Sequence, residues 1–495
     1  MTNSPPDINT PSMLDPPDWE AFREEAHRAL DLALDHAQNR PQQPVWREIP
    51  IGIKETSDPL PIEGAPLTQL LEQLEENVLP HTLGNIHPRF WGWVHGSGTP
   101  SGIVSQMMLA AINANMGGRD HAPMYLEKQV MQWLFNLFGF PADASGAMCS
   151  GTSTATLLGL SIARQRAAGA NIRAAGNGSS NMVAYTSAQS HVSVSKAMQL
   201  MGLGSNALRS IPVREDYAMD CMLLAEVMAE DLSRGLRPFA VVSVVGAVNT
   251  GAIDDLVTIN RLCRDAGVWH HVDGAFGALA MMSDALKPML AGIGDADSIA
   301  FDFHKWMHVP YAAGCLLVRD ETIHRETFEA FPAYLQTEAR GLAAGAPWPS
   351  DYGVELSRGF NALGVWFALK EQGIKKLGQA IEKNCLQAQW LGEEILGDSS
   401  LELLTPVVLN IVCFRRVDDS LSLEEVDEFN RAIVVELQCR SIAVTSSTSL
   451  NGIFAIRVCI CNHRTRSDDL RSLLDAVSQI GDELLAADGW PDDCA

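Results

Sequence analysis

Two stretches decide the architecture: Val268-Trp-His-His-Val-Asp-Gly-Ala-Phe-Gly277 and Ser298-Ile-Ala-Phe-Asp-Phe-His-Lys-Trp-Met307. Each opens as a short, β-rich apolar run and closes on charged or small residues. Apolar runs of this length, bounded by polar residues, suit strands buried on both faces. Phe239–Val245 (FAVVSVV), Met182–Thr186 (MVAYT) and Cys315–Val318 (CLLV) read the same way. Helical spacing separates them, at 125–138, 153–167 and 256–266. Strands alternating with helices predict an α/β fold with a mostly parallel central sheet flanked by helices.

Outside that core, residues 18–39 carry Trp19, Phe22, Ala26, Ala29, Leu30 and Ala33 at helical spacing. Five prolines in the first 17 residues predict a poorly ordered tail. Residues 40–65 read as irregular, and a second helix is expected at Leu67–Val78. Beyond about 375, a helix at 376–397, strands near 409–414 and 453–460, and helices at 423–438 and 467–487 predict a small α+β domain. The expected divisions are an N-terminal arm (1–95), a large domain (96–375) and a small C-terminal domain (376–495).

The chain has 495 residues, with 60 acidic against 36 basic side chains and a formal net charge of −24. That balance argues against nucleic acid, whose phosphates are held by clustered Lys and Arg, and against an anionic membrane surface. No run of about 18 apolar residues predicts a membrane span. The N-terminus has no basic residue before Arg23 and no apolar run, so it does not read as a secretory signal. Ten scattered cysteines without a CxxC pair read as reduced thiols of a cytoplasmic protein, with no metal site expected.

Four features carry chemistry. Gly151-Thr152-Ser153-Thr154 opens a helix, where free N–H groups, hydroxyls and the helix dipole favour an anion; an ordinary Ser/Thr cap reads equally from these residues alone. His191 follows a strand, a place where histidine is more often structural. Asp273 ends a strand, where α/β folds place ligand-binding groups, although a turn-capping Asp looks the same. Lys305 lies 32 residues further on among aromatic and apolar neighbours. Partial desolvation there favours a nucleophilic amine, and a snorkelling surface lysine is the bland alternative. Together, an anion cradle, a flat imidazole, a carboxylate and a lysine make up a pyridoxal-phosphate site.

At these motifs the sequence resembles the group II pyridoxal-phosphate-dependent amino-acid decarboxylases, which include the aromatic-L-amino-acid, glutamate and cysteine-sulfinate decarboxylases. The resemblance runs from about His87 to Arg457. It rests on HPRFWGW (87–93), SGTSTAT (150–156), SxHxSxxKA (190–197), NTGAIDDL (249–256), HVDGAFG (271–277), HKW (304–306) with VPYAAG after it, and LSRGFNALGVW (356–366). It implies fold type I, the aspartate-aminotransferase-like architecture, and a homodimer with active sites at the subunit interface.

It also implies roles. Lys305 holds pyridoxal 5'-phosphate as a Schiff base, Asp273 pairs with the pyridine nitrogen, His191 stacks on the ring and Ala275 packs beside it. Thr152 and Ser153 hold the phosphate, and Asp302 and His304 flank the lysine. Segment 336–355 corresponds to the family's mobile catalytic loop. Tyr352 stands near the tyrosine that protonates the carbanionic intermediate; members with phenylalanine there tend to make aldehydes.

The chain departs from the family at Gly246-Ala247-Val248, where a Gly-Thr-Thr run is common. It departs again at Ala312-Ala313-Gly314, and at Asn361 and Gly364, where basic residues are common; Arg358 remains. These changes spare the cofactor residues and bear on the substrate. The activity implied is decarboxylation of an L-amino acid to the amine and CO2. Phe90, Trp91 and Trp93 lean toward an aromatic substrate, and the same rings also read as core packing. Arg119 leaves an acidic substrate open. Other pyridoxal-phosphate reactions (an aldehyde synthase, aminotransferase or carbon–carbon lyase), a non-catalytic homologue with a binding role and an unrelated α/β protein are the other readings.

Overall fold

The computed structural model describes residues 14–55, 59–178, 180–330 and 337–487. The Pro-rich start, residues 1–13, and the opening residue of the expected loop, Gln336, lie outside them. The chain forms two compact units, residues 1–84 and 85–495.

In the first unit a helix spans Trp19–Asn39, one residue from expectation. Asp18 caps it by accepting from the backbone N–H groups of Glu20 and Ala21, which relieves two of the orphan donors at a helix start. The expected second helix forms as Leu67–Gln73 and continues as a π turn over Leu74–Val78.

The second unit is built on a seven-stranded sheet. Its strands are β1 (Ser145–Cys149), β2 (Met182–Ser187), β3 (Leu208–Ile211), β4 (Arg237–Val244), β5 (Trp269–Asp273), β6 (Ser298–Asp302) and β7 (Gly314–Val318). Their order is β1-β7-β6-β5-β4-β2-β3. From β3 through β6 the pairing is parallel, and β7 runs antiparallel to both β6 and β1. The mostly parallel sheet is therefore observed, with an antiparallel edge that apolar content could not show. Strands β5, β6 and β7 are buried along their whole length. Burying each Val, Ile, Leu or Phe stabilises the fold by about 1.5–3 kcal/mol.

A second sheet contains β8 (Leu401–Leu403), β9 (Ile411–Arg416), β10 (Ser446–Leu450) and β11 (Ile453–Cys459), in the antiparallel order β10-β11-β9-β8. The helices Leu423–Cys439 and Ser467–Ala486 cover it. Strand β10 was not expected, although Asn451-Gly452 announces its hairpin: both residues have positive φ (53° and 86°), the conformation a tight two-residue turn demands. The long helix starts at Ala362 rather than 376, because residues 362–372 are helical ahead of a break at Gly373 (φ 70°, ψ 155°).

Among the described residues, eight cysteines are free thiols. Cys439 is disulfide-bonded, which departs from the all-reduced expectation.

Adjacent His270 and His271 on β5 are structural. His270 bonds Ser243 Oγ (2.7 Å) and Asn260 Oδ1 (2.6 Å); His271 bonds Ser298 Oγ (2.8 Å). Burial lowers both to about 3 and His324 to about 4. These rings stay neutral in the fold while the unfolded chain protonates them near 6.5, so acid favours unfolding. Stability should fall from pH 7 to pH 5, each ring approaching about 1.4 kcal/mol per pH unit. Asp254, pushed up to about 6 by burial, works in the opposite direction between about 4 and 6. Urea midpoints across this range test the balance, and a midpoint that rises on acidification contradicts it.

Candidate active site

The sheet places the chemistry at one edge. Strands β4, β5 and β6 are parallel neighbours, so Val244, Asp273 and Asp302 reach their carboxyl ends together. The crevice beyond the carboxyl ends of parallel strands is the usual ligand position in such folds. Here a cavity of about 340 Å³ opens, lined by Thr152, Ser153, His191, Asp273, Ala275, Asp302, His304 and Lys305, with Trp93, Gly246, Val248 and Phe276 as further walls. Eight positions expected from sequence, scattered over 150 residues, thus share one space.

Lys305 follows the end of β6 by three residues. Its Nζ lies 3.1 Å from Asp302 Oδ2. Asp302 Oδ1 accepts the Thr152 backbone N–H at 2.7 Å. One carboxylate therefore joins the lysine to the N-terminus of the helix Thr152–Ala168, a part that flanking alone did not convey. His304 Nε2 stands 3.5 Å from Asp302 Oδ2, and its Nδ1 meets the Ala313 backbone. Gly314 makes this junction possible. A Cβ there would come within 2.6 Å of Gly151 Cα and 2.7 Å of Asp302 Oδ1.

Asp273 is 3 % exposed and accepts the Ala275 N–H at 3.2 Å. It has no ion-pair partner among the described residues. Burial raises its pKa, and the charges of Lys305 and His191 oppose the rise. His191 caps the helix Val192–Leu200 through Nδ1, which accepts from the Ser193 N–H at 3.2 Å. Burial lowers its pKa, Asp273 opposing and Lys305 adding to the effect.

Two groups are left wanting a ligand. The Thr152 hydroxyl is buried without a hydrogen-bond partner, and buried polar groups are nearly always paired. The buried Asp273 carboxylate likewise lacks a cation. Pyridoxal phosphate supplies an anion for the first, a protonated ring nitrogen for the second and an aldehyde for Lys305, so the residues fit it. Thr152→Val keeps the side-chain volume and removes the donor. A hydrogen bond to a charged acceptor contributes about 1.5–3 kcal/mol, so cofactor affinity should fall roughly 10- to 100-fold. Titrating apoenzyme with the cofactor measures this, and an unchanged dissociation constant contradicts it.

Other expected residues stand elsewhere. The Tyr352 hydroxyl donates to Glu321 Oε1 at 2.6 Å, and its ring meets His324 edge-on at 5.1 Å; it does not line the Lys305 cavity. Phe90 and Trp91 are buried, and Trp91 Nε1 donates to Thr465 Oγ1, so only Trp93 of the three rings reaches the cavity. Arg358 makes a buried two-point pair with Glu127. Arg119 lies over the Trp348 ring beside a different cleft.

A lysine, a buried carboxylate and a helix N-terminus at the carboxyl edge of this sheet define a pyridoxal-phosphate enzyme of fold type I. Residues 50–417 match the pyridoxal-dependent decarboxylase conserved domain, and the chain belongs to that family, whose members are carboxy-lyases. It is 31% identical to an aromatic-L-amino-acid decarboxylase of Bacillus atrophaeus over 94% of this chain and 96% of that one. It is 26% identical to a phenylacetaldehyde synthase of Petunia hybrida, over 91% and 92%. In fold it is similar to the Oryza sativa TDC solved with PLP and tryptamine, with a TM-score of 0.88, 24% identity and coverage of 95% and 99%.

Proposed function

We propose that this chain decarboxylates an aromatic L-amino acid to the amine and CO2. The observation that carries the reading is the single cavity joining Lys305, Asp273 and the orphaned Thr152 hydroxyl, with Trp93 and Phe276 among its walls. Pyridoxal phosphate, when bound, supplies an electron sink for the pair released from the breaking Cα–carboxylate bond.

The residues do the rest. Lys305 Nζ would hold the cofactor covalently. Asp302 orients that Nζ at 3.1 Å, and its other oxygen holds the start of the helix Thr152–Ala168. Thr152 and Ser153 would present hydroxyls to the phosphate, Asp273 would offer a negative charge to a protonated ring nitrogen, and His191 and Ala275 would wall the ring.

The division at 95/96 and 375/376 belongs to the same proposal; the two separate sheets and the break at Gly373 support the second boundary. So does a homodimer: Val104, Met107, Met108 and Ile112 on the helix Pro100–Ile112 are exposed, an apolar surface a second copy would cover. A cytoplasmic setting is the reading that the eight free thiols support, with the Cys439 disulfide weighing against it.

Tyr352 favours a second reading. Its hydroxyl is bonded to Glu321 rather than held in the cavity, which suits the aldehyde-forming reaction. Product analysis of purified holoenzyme with tryptophan, tyrosine, phenylalanine and glutamate decides. Amine and CO2 in equal amounts from the aromatic substrates is the expected result. Aldehyde, ammonia and peroxide would establish the second reading, and turnover of glutamate alone would overturn the substrate class.

A further inference from the structure

Beside the cavity lies a pair of polar side chains that no motif announced. His95 Nδ1 is 3.1 Å from the Tyr311 hydroxyl. The imidazole stands edge-on to Phe90 (5.8 Å) and Trp93 (6.1 Å). The Tyr311 ring packs on His304 with centroids 4.3 Å apart. Trp93 and His304 both line the Lys305 cavity, so the pair sits at its rim. Trp93 and Tyr311 are each 52% exposed, which leaves that rim open to an incoming side chain.

The pair is held firmly. Gly96 lies directly on the lysine loop: a Cβ there would come within 2.1 Å of the His304 carbonyl oxygen and 2.5 Å of that of Lys305. Arg464 Nη1 donates to the carbonyls of Ser97 (3.2 Å) and Gly98 (3.4 Å). Ser97 Oγ meets His308 Nδ1 (3.3 Å) and His463 Nδ1 (2.9 Å). Trp93 takes a left-handed backbone, φ 51°. Non-glycine residues in that region are uncommon, and backbone strain of this kind clusters at functional sites.

Its charge state is also fixed. Burial, then the charges of Lys305 and His304, lowers the His95 pKa, so the ring is neutral at neutral pH. Burial pushes Tyr311 up to about 12, so the phenol keeps its proton. A neutral imidazole bonded to a phenol has two arrangements. The phenol oxygen also accepts the Gly96 backbone N–H. If the phenol donates, His95 Nε2–H is the free donor. If Nδ1–H donates, the phenol O–H is the free donor and Nε2 a free acceptor. Either way a donor remains for a substrate oxygen.

We propose that His95 and Tyr311 are specificity-determining residues that hydrogen-bond a polar ring substituent of the substrate, selecting a hydroxylated aromatic amino acid over phenylalanine. This rests on the aromatic reading above. A site built to hydrogen-bond a substrate hydroxyl discriminates strongly against the analogue lacking it, because its own polar groups are then left unpaired.

The test is the ratio of kcat/KM for L-tyrosine to that for L-phenylalanine, measured on holoenzyme. Tyr311→Phe removes one oxygen and keeps the ring on His304. His95→Leu removes the imidazole, and His95→Gln restores a donor and an acceptor. Wild type is expected to prefer tyrosine at least about tenfold. Tyr311→Phe and His95→Leu should each lower the ratio about tenfold or more with an unchanged cofactor absorption spectrum, and His95→Gln should recover part of it. A ratio within about twofold of wild type in both loss variants, or no preference in wild type, overturns the pair's role while leaving aromatic decarboxylation standing. Wild type that turns over tryptophan but neither of these overturns this inference alone; wild type that turns over none of the three overturns the aromatic reading, and this inference with it.

Discussion

Lys305→Ala is expected to remove decarboxylation almost entirely, on the order of 10⁴-fold or more, as loss of a covalent group does elsewhere. The reason is local. Among the described residues Lys305 is the one lysine lining the cavity, and its Nζ is aimed by Asp302 at 3.1 Å. Removing the amine removes both the covalent anchor and the nearest base, while Thr152 and Asp273 remain to bind the cofactor non-covalently. Borohydride reduction separates the two roles. Wild type should retain cofactor on the peptide carrying Lys305, and the variant should retain none. Wild-type-like turnover in Lys305→Ala, or label on another lysine, would refute the assignment.

Asp273→Asn carries the second large effect, and its signature is opposite in the two forms of the protein. In holoenzyme the variant loses the charge facing the ring nitrogen. Breaking a buried pair in this way costs about 3–5 kcal/mol, so turnover should fall on the order of 10²- to 10³-fold. In apoenzyme the same carboxylate is buried without an ion pair, and burial raises its pKa above the unfolded value. Its ionisation therefore opposes folding once the pH exceeds the ordinary carboxylate range, and the opposition grows until the folded group also ionises. Asparagine keeps the oxygen that accepts from Ala275 and carries no charge. Apo Asp273→Asn should thus be at least as stable as wild type at pH 7, while the holo form is the weaker enzyme. Urea midpoints with and without cofactor check this pairing. A variant destabilised in apo form and unimpaired in turnover would show that Asp273 serves the fold rather than the reaction.

The reach of the sequence differed from element to element, for physical reasons. β5 and β6 were legible because strands buried on both faces must be continuously apolar, and because Asp273 and Asp302 break those runs where the strands end. Chemistry and secondary structure were written in the same few residues. The partners of β7 were not legible. Its apolar content suits parallel or antiparallel neighbours alike, and only the return of the chain after Val309 sets its direction. β1 (SGAMC) has no continuous apolar run, and β3 and β8 have four and three residues, too few for a period to declare itself.

The site divides the same way. Sequence alone determined the chemical inventory: a lysine, a carboxylate, an imidazole and an anion-binding helix start, each in a local setting fixed by its neighbours. The tertiary structure decided which of these meet and what each is free to do. It turned Asp302 from a flanking residue into the bridge between Lys305 and Thr152, left the Thr152 hydroxyl without a partner, engaged Tyr352 with Glu321 and Arg358 with Glu127, and brought His95 to Tyr311 across 216 positions. Local patterns reflect short-range torsional and burial preferences. Which distant residues touch depends on how whole elements pack.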